Sequence, residues 1–234
     1  MPEINTKEQA ERFVFANNAA QSNLFNTFNL YVVAIIGLAV ALIAFLVGLA
    51  TGGIALDVLA FVQAAFALGG LAFAIWSSET ARDRVANTYL TQSGLLFEVN
   101  ALVTCLVMIG TQIAHPALSV VAYLVPWIVY AATFFITYQV VRANVGAHER
   151  KATKTTSFSV LIVVVIIGIF VGKTVTSGTD SLVNALSAGA QGLVILGAGS
   201  LIALILGMLT AIGFFKNLLV KKFDIDLSPL YQQG

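Results

Sequence analysis

Between Leu30 and Ala50 the chain carries no charged residue, and stretches of the same kind recur along its 234 residues. About 20 consecutive apolar residues are what a helix needs to cross the hydrocarbon core of a bilayer. Nothing else in the sequence constrains the fold as strongly. A soluble domain carries roughly 25 % charged residues; here they make up 10 %, with 59 % hydrophobic. The polar surface that would keep a globule of this length in water is missing. The expected fold class is therefore an all-α integral membrane protein.

Turn signals and polar breaks divide the apolar run into six expected spans, at about 30–50, 54–76, 95–114, 118–140, 158–175 and 192–215. Thr51-Gly52-Gly53 is a tight turn and His115-Pro116 another. Pro126 sits at the centre of the fourth span, where it frees a carbonyl and kinks the helix. The fifth span is nearly pure Val, Ile, Leu and Phe, as expected of a helix facing lipid over much of its circumference. The stretch from Ser181 to Phe215 is too long for one ordinary span. Gly189, Gly192, Gly197 and Gly199 crowd its first half, and a hinge or break is expected at Gly189 and Gly192.

Before the first span, residues 1–29 are polar but patterned. Thr6 and Gln9 form a capping box. Phe13, Ala16, Ala20, Leu24 and Phe28 follow at helical spacing, which predicts an amphipathic helix lying in the membrane interface or covering one end of the bundle. Residues 77–94 predict a short surface helix that could dock a cytoplasmic partner. Gly37 and Ala41 form a small-residue pair that lets another helix approach closely.

Charge sets the expected orientation. The segment from Arg142 to Lys154 holds four of the twelve Lys and Arg residues. Together with the amino terminus, residues 77–94 and the tail 216–234, that side holds eleven, and the opposite side only Lys173. The positive-inside bias makes the eleven-residue side cytoplasmic, with both termini inside and the plasma (inner) membrane as the expected location.

The residues that could carry chemistry are few. Asp57 and Glu98 are the membrane acids, and such acids are functional candidates by default. Asp57 is expected about one turn from the outer end of span two, and Glu98 about one turn from the inner end of span three. Opposite ends argue against a direct pair, and Arg82 or Arg84 could anchor Glu98. Asn100, Thr104 and Thr111 share one helical face, predicting a polar stripe turned to the bundle interior opposite Pro126. Gln63 and Gln191 are further candidates for a polar path. The bland alternative is that these side chains are interhelical glue, each worth about 0.6 kcal/mol.

Cys105 is alone, which excludes an intrachain disulfide and a paired-cysteine site. No catalytic constellation, metal cluster, cofactor motif or basic tract for nucleic acid is expected, so the chain does not read as an enzyme. Val99-Asn100-Ala101-Leu102 recurs as Val183-Asn184-Ala185-Leu186, four residues that chance explains as well as a repeat does. The expected function is a transport component, permease-like or the membrane subunit of a transport complex. Its expected partners are the lipid bilayer and further copies or other membrane subunits. The alternative is a non-catalytic scaffold or assembly subunit.

Overall fold

The computed structural model describes residues 6–15, 27–78, 87–114, 116–144 and 188–227. The basic segment after Asn144, the expected fifth span at 158–175, Arg82, Arg84 and the second copy of the Val-Asn-Ala-Leu motif all lie outside the described residues. The described residues form six α-helices: α1 Lys7–Phe15, α2 Thr27–Thr51, α3 Ile54–Ser78, α4 Thr88–Ala114, α5 Ser119–Asn144 and α6 Ala188–Phe223. There are no strands among the described residues. The last five helices are each long and apolar enough to cross a membrane, which is the character of a multi-pass membrane protein.

The hairpin of α2 and α3 closes through glycines. Gly52 takes φ +67°, the left-handed conformation that favours glycine, and the Gly53 amide donates to the Gly48 carbonyl at 2.9 Å to cap α2. Further along, a methyl built on Gly37 would sit 3.1 Å from Ala67 Cβ, so Gly37 does bring α3 close. Tyr31 and Ser78 share a hydrogen bond of 3.3 Å at the open end of the hairpin.

Helix α4 is the axis of the bundle. In its most apolar stretch 61 % of residues are buried, against at most 33 % in the other four long helices. It contacts α2, α3, α5 and α6. One stripe, Gly94, Glu98 and Gln112, faces the α2–α3 hairpin: Phe73 packs on Gly94, Glu98 on Gly70 and Gln112 on Gly53. Another stripe, Ser93 and Val107, packs on Gly213 and Gly199 of α6. Glycines thus set the close approach on both sides of the axis.

Three boundaries differ from those expected. Helix α4 begins at Thr88, not near residue 95, so Thr88–Gly94 do not belong to a surface helix; Tyr89, Thr91, Gln92 and Ser93 are buried. Residues 77–78 instead close α3, and 79–86 lie outside the described residues. Phe28, expected at the end of the amino-terminal helix, belongs to α2; the expected helix positions Ala16, Ala20 and Leu24 lie outside the described residues. The third difference is in α6, which runs unbroken for 36 residues through Gly189, Gly192, Gly197 and Gly199. The glycine cost of up to ~1 kcal/mol each is outweighed because backbone groups in an apolar setting must bond within their own helix.

The excess length of α6 is used at its far end. At 1.5 Å per residue it measures about 54 Å, some 24 Å more than a ~30 Å hydrocarbon core. Its last turns carry α1, whose Ala10 and Val14 are fully buried in a cluster with Tyr89, Phe215, Leu219 and Val220. Thr6 caps α1, its hydroxyl accepting from the Gln9 amide at 3.4 Å. Phe13 meets Phe215 edge-on, with ring centroids 5.7 Å apart. Tyr138 and Val141 of α5 pack on the same cluster. Every Lys and Arg among the described residues therefore lies towards this one end.

Candidate functional site

The buried polar side chains of α4 separate into two faces. Ser93, Asn100 and Val107 are spaced by seven, so Asn100 shares the face that Ser93 and Val107 press on α6. Thr104, one turn on, and Thr111 complete the stripe; Asn100, Thr104 and Thr111 are all fully buried. The stripe expected from spacing alone does turn inward. It is not uniform, however. Thr111 donates its hydroxyl to the Val107 carbonyl at 2.7 Å, within its own helix. Asn100 Oδ1 and Nδ2 and Thr104 Oγ1 have no hydrogen-bond partner among the described residues.

Helix α5 adds to this level of the bundle. Pro126 is almost fully buried, and helix continues on both sides of it. Lacking an N–H, Pro126 leaves the Ala122 carbonyl without its usual donor four residues on. Nearby, Tyr123 packs with Cys105, and Trp127 with Phe97 at 5.2 Å between ring centroids. Tyr130 also joins that ring cluster, at 6.2 Å from Phe97.

Gln63 is fully buried and also without a partner among the described residues, but it belongs to the other side. Its Nε2 comes within 3.7 Å of a methyl built on Gly37, in the α2–α3 contact. Gln191 lies in the first turn of α6, is only half-buried and has partners of its own. The five expected polar-path residues are therefore not brought into one path. Asn100 and Thr104 form its unpartnered centre, Thr111 is satisfied locally, and Gln63 faces a different neighbour.

The two acids sit at different levels. Asp57 is in the first turn of α3, against Gly48, near Thr51 and Gln112, whose side chains hydrogen-bond at 3.3 Å. Because α4 starts at Thr88, Glu98 lies ten residues into the helix, about 15 Å along its axis. The single turn expected is counted from a helix start near residue 95. Its side chain lies flat over Gly70: a Cβ there would be 2.7 Å from Glu98 Cδ and 2.8 Å from Oε1. Only glycine leaves room for it.

Glu98 is 6 % exposed, and no ion pair or hydrogen bond reaches it among the described residues. It forms one wall of a cavity of about 270 Å3 between α3 and α4. Phe66, Phe73 and Phe97 supply the aromatic walls, and Gly69, Gly70 and Gly94 the space. This pocket was not legible in the sequence. Its glycines and phenylalanines are scattered over two helices, and only their register joins them.

Among the described residues, no three His, Cys, Asp or Glu side chains gather as a metal site. No protein-family model, curated protein or solved structure matches the chain, so its function has to be read from this geometry.

Proposed function

We propose that the protein is a transport component of a membrane, with six spans and both termini on the cytoplasmic side. The observation that carries the reading is Asn100. Its amide is fully buried on α4, yet neither polar atom is bonded among the described residues. An unsatisfied buried group costs about 1–3 kcal/mol, and each such group in a folded protein calls for an explanation. Interhelical glue would be bonded. A group that meets a passing solute, or a second arrangement of α4 against α6, would be left open in the closed bundle.

The setting supports this. Thr104, one turn away, has no partner among the described residues, the Ala122 carbonyl is freed by Pro126, and α6 turns small residues to both neighbours, Gly199 to α4 and Gly207 to α5. The orientation rests on charge: Lys7, Arg12, Arg142, Lys221 and Lys222 lie towards the end that α1 covers.

The test is solvent access. In a Cys105→Ala background, Asn100→Cys in proteoliposomes is expected to react with a small water-soluble thiol reagent. Ser78→Cys and Gln232→Cys in intact cells are expected to be shielded from an impermeant one, and Gly178→Cys to react. An inert Asn100→Cys in a folded protein would favour the scaffold reading, to which the close glycine contacts of α4 and α6 are equally suited. Labelling of Gln232→Cys from outside would reverse the orientation.

A further inference from the structure

The cavity over Glu98 is a different feature from the Asn100 level, on another face of α4, and it has a chemistry of its own. A carboxylate nine-tenths buried with no partner among the described residues is costly to hold ionised. Here it is not sealed in. It borders a cavity of about 270 Å3, and that cavity reaches the outer surface of α3, where Ala65 and Gly69 are exposed. The remaining walls are apolar, with three phenylalanine rings on them. Phe66 and Phe97 are held edge-to-face at 5.6 Å, and Phe73 is stacked on Trp76 at 5.6 Å.

Each component narrows the ligand. One carboxylate with no second acid is too few ligands for a calcium or magnesium ion, which takes six or more oxygens. A proton alone needs no cavity. An anion is excluded by the carboxylate, and a strongly hydrated cation by the aromatic walls. What fits is a cation whose charge is carried on carbon substituents: the ring faces attract it through their quadrupoles, and the carboxylate neutralises it. The volume is slightly below the ~300–1,000 Å3 usual for drug-sized ligands, which suits a small head with its tail outside.

We infer that the pocket formed by Glu98, Phe66, Phe73 and Phe97 binds an organic ammonium cation with apolar substituents, admitted from the outer surface of α3. Glu98 supplies the counter-charge, the rings supply the cation–π contacts, and Gly70 keeps the carboxylate lying along the floor. The assignment stands whether or not Asn100 lines a route.

The test is equilibrium binding of radiolabelled hexyltrimethylammonium to the full chain in lipid nanodiscs, with 1-hexanol as the neutral comparison. Saturable binding is expected, with hexanol failing to compete at equal concentration. Glu98→Gln keeps the shape and removes the charge, and is expected to weaken binding about tenfold or more, the equivalent of one 1.4 kcal/mol step. Gly69→Leu fills the mouth, and since a Cβ at Gly69 meets nothing within 4 Å, it is expected to abolish binding with thermal stability unchanged. It keeps the test decisive should Glu98→Gln fold poorly.

Discs of phosphatidylcholine and phosphatidylglycerol separate the two sources of such a group. Weaker binding in the choline lipid, with the difference lost in Glu98→Gln, assigns the site to a lipid headgroup. Equal binding assigns it to a free amphiphile, and either supports the ammonium chemistry. No saturable binding, equal competition by hexanol, or unchanged affinity in Glu98→Gln would overturn it.

Discussion

Helices α4 and α6 meet twice, and the two meetings treat buried polar groups in opposite ways. At the end covered by α1, several buried polar side chains are bonded from one helix to another. The Val14 carbonyl, at the open C-terminal turn of α1, accepts from Tyr89 Oη at 2.8 Å and from Lys216 Nζ at 3.0 Å. Lys216 also lies over the Tyr89 ring, 5.2 Å from its centroid. Ser93 donates to the Tyr89 carbonyl at 2.9 Å and approaches that of Thr210 at 3.4 Å. Lys7 reaches the carbonyl of Asp224, just beyond α6, at 3.0 Å. Asn217 Oδ1, at the same end, has no hydrogen-bond partner among the described residues.

Two turns further along α4 the pattern inverts. Asn100 and Thr104 are equally buried, and none of their side-chain polar atoms is bonded among the described residues. The same pair of helices thus has a fastened end and an unfastened middle. Burial by itself therefore says little about a polar residue's role here; whether it is bonded is what separates structural from functional candidates.

Substitutions at the two levels sharpen or break this contrast. The largest effect is expected from Tyr89→Ala, which removes a ring that is 2 % exposed together with its bond to Val14. Aromatic-to-alanine changes in packed interiors cost about 3–5 kcal/mol, so a clear fall in thermal stability, with freer proteolysis of α1, is expected. An unchanged melting curve would show that the fastened end fastens nothing.

Asn100→Leu is expected to go the other way. An apolar side chain of similar size removes unsatisfied groups whose burial costs about 1–3 kcal/mol, so stability should hold or rise while any flux falls. A loss of more than about 1 kcal/mol in denaturant titration would mark Asn100 as glue and erase the contrast. The smallest effect is expected from Thr111→Val. Its hydroxyl only back-bonds the Val107 carbonyl, which already has its place in the helix ladder. A change within about 0.5 kcal/mol is expected in the same titration, and a larger one would give Thr111 a partner outside its helix.

What the sequence determined by itself is the all-helical, multi-pass character and much of the punctuation. A run without charges longer than the bilayer core has few folds open to it, so α2, α3 and α5 end within a few residues of the expected boundaries. The inward turn of Asn100, Thr104 and Thr111 was equally legible, because helical spacing alone puts them on one face. Tertiary structure decided the rest. Thr88–Gly94 read as a surface segment because polarity in a sequence does not distinguish a side chain bonded to water from one bonded to a neighbouring helix. The α1 and α6 contacts that bury it lie about 75 and 120 residues away.

The glycines at the start of α6 read as a break because their local cost is visible in sequence, while the close contact that Gly199 permits with Val107 is not. Glu98 read as lying one turn from the start of its helix for the same reason: α4 starts seven residues earlier, which puts Glu98 ten residues into it, over a glycine. Its pocket exists only through the register of α3 on α4, which is set by packing between residues distant in the chain and leaves no local trace.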